Sequence, residues 1–262
     1  MNTKKFVHLD GEGKTWGIVS TEQLWANVYA LKYNRPEPKL DRAIWKQLFT
    51  DAKKAAVEFG AETIVSRLRQ DYEIEKLQSV LSETGLKRIS KRIEYQCDVN
   101  ELPDEAGSPI LWKTAKELDW SHAKIAEFTE LIIKDALGIE PDEKAETFIQ
   151  DWLHHDEFTH GLDCIAIGFA DNKACALVVA QINQESGWSR LTYMGVITEY
   201  RGRGLGKWVH RHGFSMMRNQ GGKLYHGGTH TDNLPMKKLF ETHGCKVFCE
   251  MEEWSLSVKG GS

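Results

Sequence analysis

Between Tyr193 and Gly206 the chain reads Y-M-G-V-I-T-E-Y-R-G-R-G-L-G. A predicted strand there runs straight into three glycines, Gly202, Gly204 and Gly206, which open a stretch of helical pattern, Leu205 to Met217. No other segment restricts the fold so sharply. Glycines let backbone N–H groups approach a ligand closely, and a helix N-terminus favours negative charge. Arg203 and Lys207 put positive charge at the same end. Such a turn holds an anion, above all a pyrophosphate. A Walker loop needs G-x-x-x-x-G-K-[ST], but Gly206-Lys207 is followed by Trp208. A Rossmann fingerprint needs G-x-G-x-x-G at the start of a βαβ unit, and here the motif comes late with G-x-G-x-G spacing.

The flanking pattern is mixed α/β. Apolar residues recur at helical steps from Asp41 to Phe59 (Ile44, Leu48, Phe49, Ala52, Ala56), and Gly60 stops that helix. Glu62 to Leu68 reads as a strand, Tyr72 to Thr84 as a helix stopped by Gly85, and Lys87 to Val99 as a strand or hairpin. Nearer the start, Lys14 to Ser20 reads as a strand and Leu24 to Tyr33 as helical in composition, before Pro36 and Pro38 break it. Leu102 to Ser108 is the expected linker, separating a segment 1–104 from one at 109–258.

Beyond it the reading is a strand at Ile110 to Thr114 and a helix capped by Ser121 and stopped at Gly138. A second helix opens at Pro141, with Ala145, Phe148, Ile149, Trp152 and Leu153 on one side. Three antiparallel strands follow, Cys164 to Phe169, Ala174 to Ile182 and Leu191 to Ile197, the first two joined by a tight turn at Asp171-Asn172-Lys173. After the glycine turn come a strand at Lys223 to Gly228, a helix at Asn233 to His243 stopped by Gly244, and strand from Cys245 to Val258.

This tail repeats an earlier order. Glu83-Thr84-Gly85-Leu86-Lys87 lies over Thr242-His243-Gly244-Cys245-Lys246 at an offset of 159, which also superposes Ile89 on Phe248, Glu94 on Glu253 and Tyr95 on Trp254. The pattern reads as a duplicated supersecondary unit. The region equivalent to the glycine turn, Lys39 to Lys46, holds no glycine, so the first copy is not expected to hold the same ligand.

Composition excludes more than it selects. A formal net charge of −4 lacks the basic excess of a nucleic-acid binder. The longest apolar run, Ala174 to Ala180, is too short to span a bilayer, and Met1 to Asp10 has no signal-peptide core. Five scattered cysteines imply reduced thiols and a cytoplasmic setting rather than a disulfide framework. Cys245 and Cys249 lack partners at zinc spacing, and no metal is expected. The acidic run Asp142, Glu143, Glu146, Asp151, Asp156 and Glu157 reads as a solvated helix face that also suits a cationic substrate. His154-His155, His210 and His212 read as helix-face residues.

From Pro109 to Val258 the chain resembles the GCN5-related N-acetyltransferase (GNAT) superfamily. Met194 to Gly206 is similar to the family's x-x-V-x-P-x-Y-R-G-x-G-x-G, with Thr198 in place of proline. Asn233-Leu234-Pro235-Met236 through Leu239-Phe240-Glu241-Thr242-His243-Gly244-Cys245 is similar to its N-x-x-A/M…L-Y-E-x-x-G-F. The resemblance implies an α/β fold with a mostly antiparallel sheet and helices on both faces. It implies a complete C-terminal acyl-CoA N-acyltransferase domain after a partial, GNAT-like N-terminal one that shapes it, as in tandem mycothiol-synthase-like members. It implies acetyl-CoA as co-substrate and direct attack by a primary amine of a small molecule or peptide. The implied cofactor contacts are Met194, Gly195, Val196, Arg201, Gly202, Arg203, Gly204, Leu205, Gly206, Lys207, Asn233, Met236 and Phe240, with the Val196 amide toward the thioester carbonyl.

Two positions depart from the family. Phe240 stands where a tyrosine often serves as acid, and Arg190 where a glutamate often serves as base. Thiolate departure is feasible without an acid, but an alkylammonium must lose its proton before it attacks. His226, His230 and Glu185 are the substitutes on offer. A non-catalytic acyl-CoA-binding module is the alternative reading.

Overall fold

A computed structural model describes residues 3–9, 15–25, 28–34, 41–70, 74–136, 145–154 and 157–258. Three strands open the chain: β1 (Thr3–Leu9), β2 (Thr15–Trp25) and β3 (Val28–Asn34). The helical reading of Leu24 to Tyr33 is therefore corrected. Val28, Tyr29 and Tyr33 favour extended backbone, and Tyr29 and Leu31 are buried in a core that only a paired strand reaches. Pro36 and Pro38 lie outside the described residues.

Helix α1 (Arg42–Glu58) begins where the Asp41 carboxylate accepts the Ala43 N–H at 2.7 Å, and it ends before Gly60 at φ +90°. Its Trp45, Leu48, Phe49, Ala52 and Ala56 form one buried stripe. Then come β4 (Thr63–Arg69), α2 (Ile74–Glu83) and, past Gly85 at φ +92°, β5 (Lys87–Asp98). Tyr72 lies outside the described residues.

After β6 (Leu111–Thr114), Ser121 caps α3 (His122–Ile133) by accepting the Lys124 N–H at 3.3 Å. The helix closes at Ile133, earlier than its pattern suggested, and Asp135 already has φ +57°. Leu137, Gly138, Pro141, Asp142, Glu143, His155 and Asp156 lie outside the described residues. Helix α4 (Ala145–Leu153) buries Ala145, Ile149, Trp152 and Leu153. Strands β7 (Ile165–Ala170) and β8 (Lys173–Ile182) join through Asp171 and Asn172, both at positive φ, the geometry that suits a two-residue hairpin. The chain continues through β9 (Trp188–Val196), α5 (Gly206–Asn219), β10 (Leu224–His230), α6 (Leu234–Thr242) and β11 (Lys246–Ser257). The bounds of β5 and β11 coincide at the 159-residue offset, as do the ends of α2 and α6.

The chain divides into two units, residues 1–93 with 249–262, and residues 94–248. In the first, the strand order is β1-β2-β3-β4-β11, with Met251–Ser257 antiparallel to Thr63–Arg69 and only β3/β4 parallel. In the second it is β10-β9-β8-β7-β6, with β9/β10 parallel and the other pairs given antiparallel among the described residues. There α3 and α4 bury their apolar stripes against Ile165, Ile167, Leu177 and Val179, while α5 packs on β8 and β9. A mixed α/β fold with a mostly antiparallel sheet is thus what the chain adopts. Among the described residues no helix is long and apolar enough to cross a membrane.

Candidate functional site

The site begins with an interruption in β9. Val179 of β8 faces Tyr193 and Ala180 faces Leu191, so Thr192 is an extra residue, a β-bulge. The bulge reverses the alternation. Leu191 lies against Gly213 of α5, whereas Tyr193 packs with Trp152 of α4. It also coincides with the end of pairing on the other edge: β9 matches β10 only at Trp188↔Leu224 and Ser189↔Tyr225. Ser189 is the last β9 residue in register with β10 among the described residues.

The ladder on the β8 side fixes where the next amides point. Ile197 N–H donates to the Cys175 carbonyl at 2.9 Å. Bonded and non-bonded pairs alternate in an antiparallel ladder, so Gly195 faces β8 while Met194 and Val196 direct their N–H and C=O groups away from it. Gly195 answers a packing need as well. A Cβ there would stand 2.3 Å from Ile132 Cγ2 on α3.

The glycine turn follows. Gly202 and Gly204 have φ of +76° and +74°, and a Cβ at either would meet nothing within 4 Å. Both are exposed, as are Arg203 and Lys207, while Leu205 is buried as the anchor. Helices α1, α3 and α6 each begin under a side-chain cap, but no side chain caps α5. Its first intrahelical bonds run from the Trp208 and Val209 N–H groups to Leu205 O, at 2.9 and 3.1 Å, so the amides of Gly206 and Lys207 precede them without an intrahelical acceptor. They therefore open beside two glycines and two cations, which is an anion seat. The Arg203 guanidinium lies 4.7 Å from the Tyr200 ring centre and donates to the Glu199 carbonyl, and the Lys207 ammonium lies 5.1 Å from the Trp208 ring centre.

Arg201 departs from its expected role. Nε donates to the Val196 carbonyl at 2.9 Å, Nη1 to Asp135 O at 3.1 Å, and Nη2 to the carbonyls of Ile132 and Lys134 at 2.8 and 2.9 Å. Its backbone N–H donates to Thr198 O at 3.1 Å. The guanidinium thus serves the carbonyl end of α3, where a cation is favourable, and accounts for that helix closing at Ile133. Arg201 ties the turn to α3 rather than facing a ligand.

Asn233 Oδ1 accepts the Met236 N–H at 3.2 Å and caps α6, which leaves its amide NH2 to donate elsewhere. Met236 is half-buried. Phe240 is buried, stacked on Tyr95 at 4.4 Å between centroids and set edge-on to His210 at 5.3 Å. His210, read as a helix-face residue, is instead in the core. Its Nδ1 lies 2.9 Å from His243 Nδ1 and its Nε2 3.1 Å from the Tyr225 hydroxyl. Burial pushes the proton affinity of His210 well down and His243 to about 4, with the Arg211 charge adding to the latter. Burial pushes the Tyr225 hydroxyl well up. His212 stacks on Trp112 at 4.2 Å and meets Glu105 Oε2 at 2.7 Å. His154 is exposed beyond the end of α4.

The proton-acceptor candidates separate in space. Glu185 is exposed in the turn between β8 and β9. His230 ends β10, half-buried. His226 is the residue immediately after the last β9/β10 register pair, with Nε2 3.7 Å from Glu94 Oε2. Its ring lies 5.6 Å from that of Trp188 and 5.3 Å from that of Phe248. Glu94, buried within β5, was not singled out in the sequence; its only signal there was its alignment with Glu253 in the repeat. Arg190 bonds Gln181 Oε1 through Nε and Nη2, at 3.1 and 2.7 Å, over the Phe158 ring. Among the described residues no group of three or more His, Cys, Asp or Glu side chains is placed to hold a metal.

Residues 125–245 match the Acetyltransferase (GNAT) family. Among solved structures the chain is similar to a GCN5-related N-acetyltransferase from Sphaerobacter thermophilus, with TM-score 0.72 and 11% identity over 98% of this chain and 82% of that one. It is similar also to a tandem GNAT protein from the clavulanic acid biosynthesis pathway, with TM-score 0.64 and 12% identity over 100% and 84%. A GCN5-related N-acetyltransferase from Kribbella flavida gives TM-score 0.62 and 16% identity over 94% and 88%. No curated protein gives a significant match. At these identities the structural likenesses speak for the fold.

Proposed function

We propose, from the premise that this chain belongs to the GNAT superfamily through its domain at residues 125–245, that it is an acetyl-CoA-dependent N-acetyltransferase acting on a primary amine of a small molecule or peptide. The observation that carries the reading is the continuity of two binding surfaces. The part of β9 beyond its register with β10, with outward-facing Met194 and Val196 amides, leads directly into the uncapped N-terminus of α5. An extended pantetheine arm suits the first and a pyrophosphate the second.

In this proposal the amides of Gly202 to Lys207 hold the pyrophosphate, with Arg203 and Lys207 as counter-charges. Arg201 keeps the turn in place from behind. The Asn233 amide donates to the pantetheine and Met236 closes its apolar side, while Phe240, expected as a cofactor contact, is buried against Tyr95 and His210 and supports α6 from the core. Bound acetyl-CoA supplies an acyl carbon activated as a thioester. The resemblance put the Val196 N–H on the thioester carbonyl, but six residues of extended β9 part Val196 from Arg190, the level of His226, so in this proposal that N–H serves the pantetheine arm and the carbonyl lies at the fork of β9 and β10. His226, His230 or Glu185 removes the amine's proton. In this reading residues 109–258 carry the catalytic GNAT domain and residues 1–104 an incomplete one without a CoA turn, a division that differs from the compact units 94–248 and 1–93 with 249–262, because β11 pairs with β4.

Calorimetric titration with CoA, then a thiol-release screen over polyamines, amino acids, aminoglycosides and peptide N-termini, tests this. Binding with amine-dependent release is expected, and absence of CoA binding refutes it. The alternative, an acyl-CoA-binding module without catalysis, is favoured by one feature: Phe240 offers no proton, and Arg190 is held by Gln181. Tight CoA binding with no release across the screen would establish it.

A further inference from the structure

On the side of the sheet shared by Trp188 and Arg190, the point where β9 and β10 part is built from side chains that the family motifs do not predict. Glu94 is buried, and its carboxylate lies so close to β10 that a Cβ on Gly228 would fall 2.2 Å from Oε2. A bare glycine is what permits that approach. His226, one residue past the last register pair, turns Nε2 toward this carboxylate at 3.7 Å. Trp188 and Phe248 flank the imidazole, and both rings keep substantial exposure, 38% and 44%. The charged or titratable groups on this side include Arg190, held on Gln181, His230 at the end of β10, and by strand alternation Arg92, two residues before Glu94 on β5, and Lys246, two before Phe248 on β11. A buried carboxylate beside a half-buried imidazole, beneath two open aromatic rings, has a specific chemistry: the rings attract a cation, and the pair accepts its proton.

We infer that Glu94 and His226 form the proton-accepting floor of the acceptor site, and that the acceptor enters as a primary ammonium between Trp188 and Phe248. This rests on the acyltransferase reading above. With Nε2 directed at Glu94, Nδ1 takes the proton from the ammonium, and the carboxylate steadies the imidazolium. The freed nitrogen lone pair forms the C–N bond to the thioester carbon. The C–S bond then breaks, the electron pair leaves on sulfur as CoA thiolate, which is stable enough near neutral pH to need no acid, and the extra proton on the attacking nitrogen passes to water, leaving the neutral amide. His226 is the catalytic residue and Glu94 a positioning residue.

The test uses the full chain, acetyl-CoA, and spermidine, tyramine, glucosamine and lysine as probes. CoA affinity is read by calorimetry and thiol release as a function of pH. Glu94→Gln and His226→Asn should leave CoA affinity within about twofold and lower kcat/KM by about 100-fold. Glu94→Gln should move the acidic limb of the profile to lower pH, His226→Asn should abolish that limb, and Glu94→Asp should restore part of the rate. Trp188→Ala should raise KM more than it lowers kcat. The inference is overturned if both variants keep the unmodified profile and rate, or if the unmodified protein binds CoA but releases thiol with none of the four amines. Failure of the unmodified protein to bind CoA would instead remove the acyltransferase reading, and this inference with it.

Discussion

The buried histidine pair makes a quantitative prediction. His243 is 4% exposed and its proton affinity falls from 6.5 to about 4, chiefly through burial and then through the Arg211 charge. The unfolded chain therefore binds a proton at this residue more readily than the folded chain does. Its stabilising effect is complete above pH 6.5 and is lost as pH falls toward 4. A depression of that size corresponds to roughly 3 kcal/mol over the whole window and about 2 kcal/mol between pH 7 and pH 5. Urea unfolding followed by tryptophan fluorescence at those two values would measure it. His243→Asn keeps a hydrogen-bonding group near His210 but cannot titrate, and its stability should fall by about 2 kcal/mol less over the same interval. Carboxylates common to both proteins cancel in that difference. Equal pH slopes for the two proteins would refute the assignment of a neutral, buried His243.

Three further outcomes are expected. Arg201→Met removes the bonds to four backbone carbonyls and should destabilise by about 3 kcal/mol, a fall in Tm of roughly 6–12 °C, without changing the salt dependence of residual CoA binding; Lys207→Ala should do the reverse. Gly204→Val forces a β-branched residue to φ +74° and should abolish CoA binding in calorimetry at a cost of about 2 kcal/mol in stability. In the first unit, Glu252 is desolvated by burial, yet bonds from Gln78, Arg88 and Trp254 together hold its carboxyl below the ordinary value of 4.5. That stabilisation is present above pH 4.5 and is lost as pH falls through the depressed value, so Arg88→Ala should cost about 1–3 kcal/mol at pH 7 and less at pH 3 in a thermal melt.

What the sequence conveyed well was local. Glycines after α1, α2 and α6 all take the left-handed conformation that stops a helix, so those ends were readable from single residues. The strand–turn–helix around Gly202 to Gly206 was readable because its residues act on their immediate neighbours. Misreadings arose where distant residues decide. Leu24 to Tyr33 has helical composition, but Tyr29 and Leu31 are claimed by a core that β2 and α1 complete. Helix α3 stops early because a guanidinium more than sixty residues downstream takes its carbonyls. Arg201 was implied as a cofactor contact by its place in the motif, whereas its backbone-carbonyl partners are set by the fold and are not visible in sequence. Glu94 and His226 meet only once β5 and β10 are folded, and no spacing rule links them.

The pairing of Met251–Ser257 with Thr63–Arg69 has a consequence for the order of events during synthesis. Trp254 and Leu256 fill the same core as Trp45, Phe49 and Ile64. On a ribosome, the first unit cannot complete that core when its own early strands emerge; it must wait until residue 257 has been made. The second unit, residues 94–248, is finished first, although it is translated later than most of its neighbour. Loss of the last dozen described residues would then unfold the beginning of the protein rather than its end.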